Sequence, residues 1–137
     1  MTGADNHGME RNVLMQFLYV GVGGFFGAAL RFGLSSWLSR ALPHALFPYG
    51  TMAVNVIGCL LIGLLASYRQ PLDPGLRLFL MVGLLGGFTT FSTFALETLS
   101  LAQQNHTALA FFNVAIKVCL GLAAAWAGFE MGRALSS

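Results

Sequence analysis

Gly83-Leu84-Leu85-Gly86-Gly87-Phe88-Thr89-Thr90-Phe91-Ser92-Thr93-Phe94-Ala95-Leu96-Glu97 lies inside a long apolar run, yet it is dense in hydroxyls and in glycine. Glycine costs a helix interior about 1 kcal/mol relative to alanine. Adjacent Gly86 and Gly87, followed by two β-branched threonines, are a poor helical sequence at membrane depth. Non-helical backbone is tolerated there where it is buried in protein or lines a water-filled cavity. The stretch therefore reads as a deliberate break in a spanning helix, running from Gly86 to Thr89, with the helix resuming at Thr90. Such breaks present carbonyls and helix ends to ions.

Composition supplies the membrane. The 137 residues are 56% hydrophobic and 9% charged, where soluble domains carry about 25% charge. Mean hydropathy is +0.72. These values describe an all-α integral membrane protein with no room for a separate soluble enzyme domain. Met1 to Asn12 is polar and mixed in charge, and reads as a short tail rather than a cleavable signal. Residues 13–137 form a single membrane domain. Four apolar segments approach the roughly 20 residues that span a bilayer: Val13 to Leu38, Pro48 to Tyr68, Gly75 to Leu101, and Ala108 to Leu135. Short polar turns make neighbouring helices antiparallel, and Pro48 suits a first helical turn. Cys59 and Cys119 fall in apolar segments without metal-ligand spacing and read as packing residues.

Polar residues within the spans are the candidate chemistry. Gly23 and Gly27, Cys59 and Gly63, Gly83 and Gly87, and Gly128 and Gly132 are small-xxx-small pairs that let backbones approach closely. So many such faces suggest packing against a second copy. Arg31 faces protein or a vestibule, or snorkels toward an interface, because charge at membrane depth is costly. Asn55, one turn after Thr51, is either an interhelical hydrogen-bonding amide or an NH2 donor to an anion. Asn113 and Lys117 share one helical face. Lys117 is an anion contact, the partner of Glu97, or a side chain that snorkels toward the interface.

Phe91 and Phe94, three apart, project from one face of the helix that resumes after the break, and with Phe88 they are either an ordinary lipid-facing or packing stripe or an anion contact. A phenyl edge is electropositive and can receive a small anion without supplying a formal charge. Ser92, Thr90 and Thr93 add hydroxyl donors, and Glu97 follows one turn later. Unwound carbonyls suit hard cations. One break offers too few of them, but two copies meeting there double the number. A sodium-like ion on a two-fold axis is then reasonable.

At these residues the chain resembles the Fluc fluoride-channel family, also called CrcB. The likeness runs from about Gly21 to Gly128. It rests on Gly86-Gly87-Phe88-Thr89-Thr90-Phe91-Ser92-Thr93-Phe94, on Gly50-Thr51-Met52-Ala53-Val54-Asn55-Val56-Ile57-Gly58, and on Gly23 to Arg31. The resemblance implies a dual-topology homodimer of antiparallel subunits in the plasma (inner) membrane, with two fluoride pathways. It implies a structural sodium ion held by the backbone carbonyls of Gly86 and Thr89 from both subunits. Phe91 and Phe94 would line the path and Asn55 would be its asparagine. Thr51, Ser92, Thr93, Glu97 and Asn113 fall at pore-lining or nearby polar positions. Lys117 stands where the family suggests serine or asparagine. The implied activity is passive export of fluoride from the cytoplasm, without enzymatic chemistry.

With the N-terminus inside, Arg11, Arg69, Arg77 and Arg133 lie inside and Arg40 outside, a bias toward one orientation. Two other functions compete. A small four-helix multidrug exporter would want a carboxylate in the first two segments, which contain none. A membrane scaffold would explain the glycines but not Thr-Thr-Phe-Ser-Thr-Phe beside Asn55. His7, His44 and His106 lie in tails or loops, away from any embedded catalytic constellation.

Overall fold

Each apolar run is long enough to satisfy its own backbone hydrogen bonds as a helix, which lipid requires. A computed structural model describes residues 3–68 and 72–135, with side chains from Asn12 onward. Among the described residues four helical spans cross: Asn12–Ala41, Tyr49–Ser67, Pro74–Gln103 and Thr107–Leu135. We label the helices α1 (Gly3–Ala41), α2 (Tyr49–Ser67), α3 (residues 74–88), α4 (Phe91–Gln103) and α5 (Thr107–Leu135). Helix α1 begins at Gly3, so most of the expected polar tail continues the first helix. Arg69 and the rest of 69–71 lie outside the described residues, as do 1–2, 136–137 and the side chains of His7 and Arg11.

The ends follow from their residues. Pro48 is the N-cap of α2, one place before the expected first turn. At the start of α3, Asp73 Oδ1 accepts from the Gly75 and Leu76 amides at 2.9 and 3.0 Å, and Pro74 occupies N1, where a missing N–H costs nothing. After α4, Asn105 turns left-handed at φ 63°, a backbone state that asparagine tolerates at helix ends.

Packing explains the glycines. Helix α1 lies on α3, with Gly23 and Gly27 against the backbone around Gly83, Leu84, Gly87 and Phe88. Helix α2 lies along α5, with Gly63 against Ala125, and Gly128 and Gly132 against Leu60 and Leu64. These small-residue faces are therefore used within one chain and do not themselves argue for a second copy. Exposed Phe17, Phe25, Phe32, Trp37, Phe111 and Trp126 cover the outside, while Thr51, Ser67, Asn113 and Lys117 are buried. That is the distribution expected when the solvent is hydrocarbon.

The third span is interrupted at the far end of the expected Gly86 to Thr89 stretch, not at its glycines. Gly86 is helical at φ −63°, ψ −38°. The interruption falls at Thr89 (φ −82°, ψ 158°) and Thr90 (φ −152°, ψ 121°). Gly83 and Gly87 are instead sites of close approach. A Cβ on Gly83 would lie 2.7 Å from the Val20 carbonyl oxygen, and one on Gly87 would lie 2.6 Å from that of Gly24. Extended backbone suits β-branched threonine. Before the break, Leu78–Leu85 is wound as a wide π-helix, a form often found near functional sites.

Candidate functional site

Asn55 on α2 spans the break. Its Nδ2 donates to the Thr90 carbonyl at 3.1 Å, and its Oδ1 accepts from the Thr90 amide at 2.9 Å. The interhelical reading of Asn55 is thus realised as a two-way clasp on one residue. The NH2 group has a second proton that the clasp does not use. The clasp also diverts the amide that a continuous helix would give to the Gly86 carbonyl. That carbonyl is left without its helical donor. The Thr89 hydroxyl donates to the Leu85 carbonyl at 3.0 Å, and its methyl fills the space that a side chain at Gly58 would take. Thr90 Oγ1 caps α4 by accepting from the Thr93 amide at 3.3 Å, and contacts the hydroxyls of Thr93 and Ser92 at 3.1 and 3.3 Å.

One turn further along α4, Glu97 is gripped from both sides. Lys117 Nζ on α5 lies 2.9 Å from Glu97 Oε2, and the Thr51 hydroxyl donates to Oε1. Of the roles open to Lys117, the partner of Glu97 is the one seen. The ammonium also lies 5.5 Å from the Phe94 ring centre and 6.0 Å from that of Phe47. Asn113 is fully buried. Its Nδ2 donates to the Thr98 hydroxyl at 2.8 Å, which donates to the Phe94 carbonyl at 2.8 Å. Among the described residues, Asn113 Oδ1 has no hydrogen-bond partner.

Two open cavities flank the break. One, of about 400 Å³, is lined by Asn55, Gly86, Thr89, Thr90, Phe91, Phe94 and Lys117 with apolar neighbours. The other, of about 530 Å³, is lined by Arg31, Ser35, Thr51, Thr90, Thr93 and Glu97 among others. Thr90 borders both. Arg31 therefore faces a vestibule. Phe91 is 78% exposed, and its ring centre lies 5.5 Å from that of Phe94 at an interplanar angle of 60°. Ser92 and Asn113 line neither cavity. Among the described residues no three His, Cys, Asp or Glu side chains cluster to hold a metal. The oxygen donors suited to a cation at the break are backbone carbonyls.

Sequence reading missed three participants. Thr98 ties Asn113 to Phe94; its position four residues after Phe94 was an available signal, since a helical threonine can bond back to the i−4 carbonyl. Phe47 covers Lys117 from the loop before α2, and nothing local marks it. The backbone of Thr90, rather than an ion, occupies most of the Asn55 amide.

Comparison with known proteins gives a consistent answer. The family model described as CrcB-like protein, Camphor Resistance (CrcB), matches residues 18–129. A protein of Elusimicrobium minutum is 46% identical over 124 residues, 88% of this chain and 96% of its own. One of Rhizobium etli is 42% identical over 125 residues, 89% and 99% of the two chains. One of Nitratiruptor is 43% identical over 109 residues, 79% and 84% respectively. All three relatives are called fluoride-specific ion channel FluC.

Proposed function

The chain belongs to the CrcB family, and on that premise we propose that it is a fluoride-selective passive channel of the plasma membrane. The observation that carries the reading is the match along nearly the whole chain to proteins named as fluoride channels. The site supplies a physical means. Phe91 and Phe94 border a cavity together with Asn55, whose amide has a second proton that the clasp does not use. Ring edges and neutral donors suit a small, weakly polarisable anion, which a fixed cation would hold too long for conduction.

Export follows from acid–base chemistry. Fluoride enters acid-exposed cells as neutral HF, and ionises at cytoplasmic pH. A negative-inside potential then drives the anion out through a passive path. The runner-up, a proton-coupled exporter of cations, needs an available embedded carboxylate. Glu97 is instead engaged by Lys117 and Thr51.

The working unit of this proposal is an antiparallel homodimer with a structural sodium ion at the break. The residues fit that ion. Gly86 has lost its helical donor to Asn55, the extended Thr89 and Thr90 turn the chain out of the helix, and hard cations favour such oxygens. Gly86 and Thr89 of each copy would hold it, and it would contribute cohesion rather than transport.

The test is efflux from liposomes holding the purified protein, followed with a fluoride electrode and then with a chloride electrode. Rapid fluoride release with almost no chloride release is expected. Equal release of both anions, or none from folded protein, overturns the reading.

A further inference from the structure

An ammonium at membrane depth is costly to a spanning helix, so what surrounds Lys117 is informative. Its side chain is 4% exposed, with Nζ 2.9 Å from Glu97 Oε2. The Thr51 hydroxyl holds the other carboxylate oxygen. The same ammonium lies over the Phe94 ring at 5.5 Å. Glu97 borders the 530 Å³ cavity and Lys117 borders the 400 Å³ cavity. The pair therefore stands in the wall between them.

We propose that the Lys117–Glu97 pair is a charge-compensated partition on the anion path, with Lys117 as the positioning residue that holds both the Glu97 carboxylate and the Phe94 ring. The inference rests on the channel reading and adds to it the role of this chain's own lysine. A lone carboxylate here would repel an anion arriving from either cavity. A lone ammonium would bind it and release it slowly. Joined, the two present little net charge, and selection is left to ring edges and hydroxyls. The ammonium also occupies a face of Phe94, where the π-cloud is negative, and leaves the electropositive edge for the path.

The pair makes opposite predictions for its two halves, which a merely structural role does not. In liposome efflux, the quantity to read is the fluoride concentration giving half-maximal rate. Lys117→Met should raise it at least about tenfold, a modest effect for an unscreened charge a few ångströms away. Glu97→Gln should lower it, and the double variant should reverse most of both shifts. Lys117→Arg, which keeps the charge, should shift it far less than Lys117→Met. If Lys117→Met does not fold, Glu97→Gln against the double variant gives the same comparison, because the lowering must be reversed. Single variants that shift in the same direction, or a double variant no nearer to wild type than Glu97→Gln, overturn the proposal while wild-type efflux leaves the channel reading standing. Wild-type protein that releases no fluoride sinks the channel reading itself.

Discussion

Asn55 joins the break to the rest of the molecule at the scale of one side chain. Both polar ends of its amide meet the Thr90 backbone, so it stabilises an extended residue that would otherwise leave an amide and a carbonyl unpaired at membrane depth. Leaving such groups unsatisfied costs about 1–3 kcal/mol. Asn55→Ala should lower stability by about that amount and slow fluoride release. Asn55→Asp, which keeps an acceptor for the Thr90 amide, should retain more stability yet conduct poorly, because a carboxylate replaces the donor beside Phe91. Denaturant midpoints in detergent, paired with efflux, separate the two effects. Equal midpoints for wild type and Asn55→Ala would show that the clasp contributes nothing to the fold.

At the scale of the element, the third span shows what a sequence reveals and what it hides. Length and hydropathy defined the last three helices to within a few residues, because lipid leaves few alternatives to the helix, while the first begins ten residues earlier than its apolar run. The presence of a break was legible in a run of glycine and threonine. Its position was legible only in part: the expected break reached Thr89, but the glycines at its start are helical. Gly86 and Gly87 look like helix breakers in isolation, and the reason Gly83 and Gly87 are glycine lies on another helix, at Val20 and Gly24. The site followed the same rule. That Phe91, Phe94 and Glu97 share one helix was readable from spacing, and Glu97 was among the partners offered for Lys117, while the Thr90 backbone as the partner of Asn55 depended on which helices meet. Because α1 and α3 touch through backbone, Gly27→Val should disrupt the fold. Its added carbon would collide with the Leu84 carbonyl and approach the Phe88 amide at 2.8 Å, contacts that neither helix can yield cheaply. The expected result is aggregation or loss of the monodisperse peak on size-exclusion chromatography; a well-folded Gly27→Val protein would show that the two helices can separate without cost.

At the scale of the whole molecule, the small-residue faces are consumed between α1 and α3 and between α2 and α5, so a second copy must be argued from what remains. What remains is at the break. Gly86 is exposed, and a Cβ there meets nothing within 4 Å. Phe91 beside it is 78% exposed, and the Gly86 carbonyl lacks its helical donor. Open glycine, bare aromatic ring and a carbonyl without its helical donor border one cavity, which is an arrangement two copies sharing a cation could use. The uneven arginines favour one orientation, and an antiparallel pair therefore depends on contacts at this face strong enough to retain the minority orientation. Gly86→Leu isolates the question. Inside one chain the leucine has open space, so helicity by circular dichroism should be unchanged. In the proposed dimer it would stand at the contact, so light scattering should report a mass near 14.6 kDa rather than twice that, with fluoride efflux lost. A Gly86→Leu protein that stays dimeric would place the two-fold contact elsewhere and remove Gly86 from the cation site.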